Sequence, residues 1–232
     1  MRDYRQIYAN EATRYDRLVS AEDVAGALPA ALVRLCAFTP ETRVVELGAG
    51  TGRVTRLVAP HVARVDAFDE AEAMLVVARE RAAEAGHTNC TFTRADHSGL
   101  PAARGSADVA LAGWAIAHAV AWHPREWRGH VRAALDEMRR VVRPGGRVVV
   151  IETLGTGVEK PTPPPHLLPF YDLLAREGFA CESIRTDYRF DSPEEAVDLV
   201  RFFFGDRLAD PLAAAGGVDL AECTGVWHMT LA

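Results

Sequence analysis

"VVELGAGTGRVTRLV" occupies residues 44–58 and sets three glycines within five positions, between a β-branched run and a helix-forming segment. Glycine loses more backbone entropy on folding than any other residue, so the cluster marks a place where bare main chain is required. A strand, a glycine turn and a helix in that order expose peptide groups at the carboxyl end of a sheet. That is where open α/β sheets bind ligands. The spacing is Gly48-x-Gly50-x-Gly52, with Glu46 at the strand end. The dinucleotide fingerprint G-x-G-x-x-G would need its third glycine at Arg53. A nicotinamide-dependent reductase is therefore disfavoured.

Working outward, the same grammar repeats. "ARVDAF" reads as a second strand, "EAEAMLVVARERAAEAG" as a helix stopped at Gly86, and "CTFTRA" as a third strand. "ADVALAG" is a fourth. Pro124 to Val142 is amphipathic, with Val131, Leu135, Met138 and Val142 on one face; "RPGG" breaks it, and "RVVVIE" is a fifth strand. Strands alternating with helices of ten or more residues imply a parallel sheet covered on both faces. Upstream, Ala21 to Phe38 has helical spacing interrupted near Pro29. Beyond Glu152 come a Gly- and Pro-rich loop (residues 153–166), a helix in "LLPFYDLLAREGF" and a strand in "ESIRTDYRF". "SPEEAVDLVRFFFG" opens with an N-cap Ser and Pro at the first helical position, and "TGVWHMTLA" reads as an edge or antiparallel strand.

The 232 residues carry 26 basic and 32 acidic side chains, a net charge of −6, and no Lys/Arg block. Such a balance argues against nucleic acid or an anionic membrane as partner. Cys36, Cys90, Cys181 and Cys223 show no CxxC pairing, which fits reduced thiols better than a disulfide frame or a zinc site. The polar start lacks an apolar signal core, and "VALAGWAIAHAVAW" is shorter than a membrane span, so a cytoplasmic location is expected.

"VVELGAGTG" resembles the first motif of class I S-adenosylmethionine-dependent methyltransferases, and the resemblance extends through "AFDEAEAML", "TRADHSGLP" and "LDEMRRVVRPGGRVVVIE" in order, from Val44 to Glu152. It implies one Rossmann-like, doubly wound domain over residues 1–232, mostly parallel, with strand order 3-2-1-4-5-7-6 and an antiparallel last strand. In such a site Gly48, Ala49, Gly50 and Gly52 pass beneath the methionine part of S-adenosyl-L-methionine, and Glu46 holds its ammonium. Asp69, about twenty residues past the first glycine, is placed to take a ribose diol, and it is equally suited to cap the next helix. Glu70 and Met74 follow in the adenine-packing segment, although Glu70 stands where an apolar residue is common. Asp96 is assigned to the adenine amino group, with His97 beside it. Tyr8 and Tyr15, in "YRQIYANEATRYDRLV", resemble a lid segment, so residues 1–38 are expected to form a helical lid.

The resemblance leaves the acceptor open. A sulfonium methyl is intrinsically electrophilic, so alignment, dryness and sometimes a base suffice. The stretch after strand four, "AGWAIAHAVAWHP", lacks the Asn/Asp-Pro-Pro-aromatic motif of adenine and amide N-methylation, and no carboxylate set suggests a metal. Trp114 stands where it can flank the methionine end or simply cap the core. His118 and Glu152 are the candidate catalytic groups; His123 is a weaker one. An insertion at residues 192–222 contains "FFF", whose three rings cannot share one helix face. A substrate cap, a homodimer contact or core packing would each engage them. The expected function is methyl transfer to the O, N or C atom of a small molecule; a non-catalytic binder of the same cofactor is the alternative.

Overall fold

A computed structural model describes residues 4–232. Seven strands form one sheet: β1 (Arg43–Leu47), β2 (Arg64–Asp69), β3 (Cys90–Arg94), β4 (Ala107–Gly113), β5 (Val142–Thr156), β6 (Ala180–Arg185) and, last in the chain, β9 (Glu222–Thr230). Their order is β3-β2-β1-β4-β5-β9-β6, parallel except that β9 runs antiparallel to both neighbours. This is the expected order. As that order requires, the final strand is interior: β6 is the edge, and β9 is buried from Glu222 to Trp227.

Alternate residues of each central strand feed opposite cores, as a period of two requires. Val45, Leu47, Ala110, Ala112, Val148 and Val150 face one layer, which is filled by Leu135 and Met138 of α7 (Trp127–Val141) and Phe170 and Leu174 of α8 (Leu168–Arg176). Val44, Val109, Leu111, Val149 and Ile151 face the other, with Leu28 and Leu32 of α3 (Ala27–Cys36) and Val54 and Val58 of α4 (Arg53–Val58). Pro29 does not interrupt α3. It lies in the first turn, where no intrahelical N–H bond is lost, and the Asp23 carboxylate accepts from the Ala27 and Leu28 amides just ahead of it.

Two loops expected from glycine and proline are instead parts of β5. Val142 pairs with Ala107 and Arg147 with Val109, so "RPGG" bulges out of a continuous ladder. At the other end Thr153, Gly155 and Thr156 still pair with β9, again across a bulge. The expected strand "ESIRTDYRF" is divided: β6 ends at Arg185, and β7 (Tyr188–Arg189) pairs with β8 (Asp219–Leu220) in a separate two-stranded ribbon. The Asp187 carboxylate between them accepts from the Glu222 amide and turns the chain.

The accessory segments at the two ends of the sequence share one small core. Leu18 of α2 (Ala12–Ser20) is buried with Tyr188, Leu199 and Val200 of α9 (Pro193–Phe203), Leu212 of α10 (Asp206–Ala215), and Leu220. Arg14 and Arg17 of α2 pair with Asp198 and Glu195 of α9. Buried Asp16 accepts from Arg81 at 2.7 Å and faces Arg56 at 3.5 Å, which ties the same helix to α4 and to α5 (Glu72–Glu84). Among the described residues no helix is long and apolar enough to cross a membrane, and the four cysteines are free thiols.

A Cβ at Gly146 would lie 2.5 Å from the Asp108 carbonyl oxygen and from a Val142 methyl. Gly146→Ala is therefore expected to destabilise the protein by about 1–3 kcal/mol through overpacking, read as a lower midpoint in urea or thermal unfolding.

Candidate active site

The turn after β1 holds Gly48, Gly50 and Gly52 at φ of +65°, +54° and +76°. Gly48 is wedged, since a Cβ would meet Ala115 at 2.3 Å and the His97 ring at 3.3 Å; Gly52 is pressed to 3.1 Å from Ala78 of α5. Gly52 thus makes the close helix contact that a third glycine at position 53 would make in a dinucleotide fold. Gly50 differs: its Cβ would project toward the Tyr15 ring, 4.0 Å away, and into a cleft. Asp69, at the end of β2, accepts from the Gly50 amide on one oxygen and the Ala71 amide on the other, each at 2.8 Å. One carboxylate thereby joins two adjacent β-to-α turns.

The cleft opens above these turns as a cavity of about 850 Å³. Every cofactor residue expected from the sequence lines it: Tyr8, Tyr15, Glu46, Gly48, Ala49, Gly50, Asp69, Glu70, Met74, Asp96, His97 and Trp114, with the exception of Gly52, which lies beneath it. Their settings differ. Glu46 is buried, takes a 2.5 Å hydrogen bond from Thr55, and is pushed up to about 8 by burial. Met74 is buried against Tyr8 and Tyr15. Asp96 is bound by the Ser98 amide and hydroxyl, which hold its carboxyl down at about 2. Burial lowers the His97 pKa, and Glu70 is exposed at the rim. Trp114 takes a positive φ of 49° and lays its ring against the Arg53 guanidinium, 4.8 Å from the centroid. Backbone strain of this kind collects at ligand sites.

The expected catalytic pair divides into two environments. His118 is stacked on Trp122 at 4.7 Å, and its Nε2 lies 3.0 Å from the Tyr8 hydroxyl. Burial lowers its pKa to about 4, so the ring is neutral and already engaged at neutral pH. Glu152, at the inner end of the cavity on β5, is 5% exposed and pushed up to about 8 by burial. A carboxyl in that range is matched to proton exchange near neutrality. His123 stacks on His130 at 3.9 Å, away from Glu152's wall, and no metal-binding cluster occurs among the described residues.

Several lining residues were not legible in the sequence. Glu22 takes a 2.5 Å bond from Arg53 and another from the Thr186 hydroxyl. Glu222 accepts from Thr153 at 2.6 Å. Tyr188, Phe203 and Phe204 close the inner end. The "FFF" run was the one available signal: Phe203 meets Tyr4 and Tyr15, Phe204 meets Tyr188, and Phe202 lies under Arg14. All three rings find partners within the chain.

A doubly wound sheet with an antiparallel seventh strand, and a carboxylate-lined cleft over the β1 and β2 turns, defines an α/β protein that binds a nucleotide-like ligand at the sheet's carboxyl edge. A methyltransferase-domain family model matches residues 44–146. Over 229 residues the chain is 28% identical to the ubiquinone/menaquinone biosynthesis C-methyltransferase UbiE of Rubrivivax gelatinosus, covering 97% of this chain and 80% of that one. It is 35% identical to a demethylmenaquinone methyltransferase of Clavibacter sepedonicus over 53% of this chain, and there it spans only 45% of the relative. A crystal structure of a SAM-dependent methyltransferase from Aquifex aeolicus shares the fold, with a TM-score of 0.60 at 15% identity over 93% of this chain and 98% of that one. The chain is thus similar, in sequence over residues 44–146 and in fold throughout the sheet, to S-adenosylmethionine-dependent methyltransferases.

Glu46, Glu152 and Glu222 are each pushed up to about 8 by burial, whereas in an unfolded chain such groups titrate near 4.5. Between those values the folded protein holds more protons, so stability is greatest at the acid end and falls as pH rises through 8. Thermal unfolding of the ligand-free protein is expected to show a midpoint that drops from pH 6 to pH 8.5. Glu222→Gln should flatten that slope.

Proposed function

We propose that the protein transfers a methyl group from S-adenosyl-L-methionine to a small-molecule acceptor bound at the inner end of the cavity. The observation that carries this reading is the bare Gly50 backbone facing an open cleft between Asp69 and Tyr15. The residues present fit the cofactor: each Asp69 oxygen accepts one amide and keeps a lone pair toward the cleft, as a ribose diol requires, and the acidic lining suits a cationic donor. Glu46, the Gly48–Gly52 turn and Trp114 would hold the methionine end; Met74, Asp96 and His97 would hold the adenosine end. When bound, S-adenosylmethionine supplies an activated methyl on a positively charged sulfur.

The chain's own tasks are to orient the acceptor, exclude water and take a proton where one must leave. Tyr8 and Tyr15, in edge-to-face contact at 5.3 Å, roof the cavity. Together α1 (Tyr4–Asn10), α2 and α9 act as the lid, because the tyrosines and Phe203 close over the cleft from those helices. His118 positions Tyr8 through their hydrogen bond. Before an acceptor binds, Glu152 is the group suited to exchange a proton, since its pKa is near the operating range while that of His118 is far below it.

Calorimetry tests the cofactor directly. S-adenosylmethionine and S-adenosylhomocysteine are expected to bind and NADP to give no heat; the reverse would remove the proposal. Asp69→Ala should weaken S-adenosylhomocysteine binding about tenfold or more by removing the diol partner and releasing both turns. An unchanged affinity would place the ribose elsewhere.

A further inference from the structure

The inner end of the cavity has an unusual charge balance. Glu22, Glu152 and Glu222 all line it and are at least nine-tenths buried, against a single buried guanidinium, Arg53. Glu22 takes the Nη1 of that guanidinium and its other oxygen is filled by Thr186, while the Arg53 Nη2 is buried with no partner among the described residues. Glu152 and Glu222 make no ion pair among the described residues. Glu222 is 2% exposed, and while its Oε1 accepts from Thr153, its Oε2 finds no donor among the described residues. A buried carboxylate oxygen without a donor is costly, and the cost is recovered when a ligand supplies one. The nearby cationic side chains that also line the cavity, Arg207 and His166, are exposed at its mouth.

The walls around this pair are aromatic. Tyr15 meets Phe203 at 5.4 Å, Phe203 meets Phe204 at 5.1 Å, and Phe204 meets Tyr188 at 5.9 Å, which makes a continuous arc of rings. Ring faces attract cations and give nothing to anions. The two carboxylates reach one space from neighbouring strands, because Glu152 pairs with Gly225 and Glu222 with Thr156 across β5 and β9.

Resting on the methyltransferase reading above, we propose that Glu152 and Glu222 form the receptor for a positively charged amine on the methyl acceptor. The acceptor class is then an organic amine with an apolar body, not an acid or an uncharged ring. Glu222 Oε2 supplies the vacant acceptor, Glu152 the second negative charge, and the aromatic arc encloses the carbon skeleton. Burial holds both carboxyls at about 8 when no cation is present. An ammonium ion beside them reverses that shift, so amine binding at pH 7 releases protons.

The test uses the full chain saturated with S-adenosylhomocysteine and two charge-varied sets: tyramine, 4-ethylphenol and 3-(4-hydroxyphenyl)propionate, then butylamine, butanol and butyrate. Titration calorimetry is expected to show the amine of at least one set binding tenfold or more tighter than both of its analogues. Repeating it in buffers of different ionisation heat should show proton release. Glu152→Gln and Glu222→Gln should each remove that preference by about tenfold and leave S-adenosylhomocysteine affinity within twofold, which also reports that the variants are folded. Absence of amine preference in both sets, or a preference that survives Glu222→Gln, overturns the proposal while leaving the methyltransferase reading intact. Failure of S-adenosylhomocysteine itself to bind overturns that reading, and this proposal with it. If a Gln variant does not fold, the proton release measured on the wild type decides: none means no carboxylate meets the amine.

Discussion

The carboxylate of Asp69 is the tie on which the cleft depends. It takes one amide from the glycine turn after β1 and one from the start of α5, so two turns from adjacent parallel strands move as one unit. The glycines make this possible. Positive φ at positions 48, 50 and 52 turns the chain sharply enough for the Gly50 amide to point sideways, and the missing Cβ atoms allow Ala115 and Ala78 to close from either side. A side chain at any of the three would part the strands, strain the turn or stand in the cleft.

From that tie the rest of the site is assembled by distant elements. The roof comes from the N-terminal helices and from α9, which share a core around Leu18 and Leu199. Asp16 anchors the roof to the frame through Arg56 and Arg81. It is 1% exposed, so breaking its pairs would leave a buried charge uncompensated. The floor comes from β5 and β9, whose antiparallel register brings Glu152, Thr153 and Glu222 to one end of the sheet. The cavity therefore has a half lined by the turns after β1 and β2 and a half walled by carboxylates and aromatic rings. Tyr8 and Tyr15 stand between the two, sensing the charge of both Asp69 and Glu152.

The division between His118 and Glu152 illustrates why residue type alone does not assign a role. Histidine is the usual candidate for exchange near neutrality. Here burial among Tyr8, Tyr4 and Trp122 lowers its pKa to about 4, and burial raises the Glu152 carboxyl to about 8. Desolvation disfavours whichever form is charged, so it moves a base and an acid in opposite directions.

The linear sequence made legible the sheet and the residues that line the cleft over the β1 and β2 turns, through local signals and the family resemblance they carry. Alternation of strand and helix, glycine spacing, and an acidic residue at the end of β2 are each visible within a few residues; the parallel sheet follows from the alternation, and the strand order is what the family resemblance implies. The bulged ends of β5 were not visible: glycine and proline signal a turn, and only pairing with β4 and β9 keeps "RPGG" and "TLGTG" in the ladder. The shared core of the two accessory segments and the meeting of Glu22, Glu152 and Glu222 were decided by tertiary structure alone. Those three glutamates lie 70 or more positions apart along the chain, and no local periodicity encodes which strand edge or helix face will bring them together.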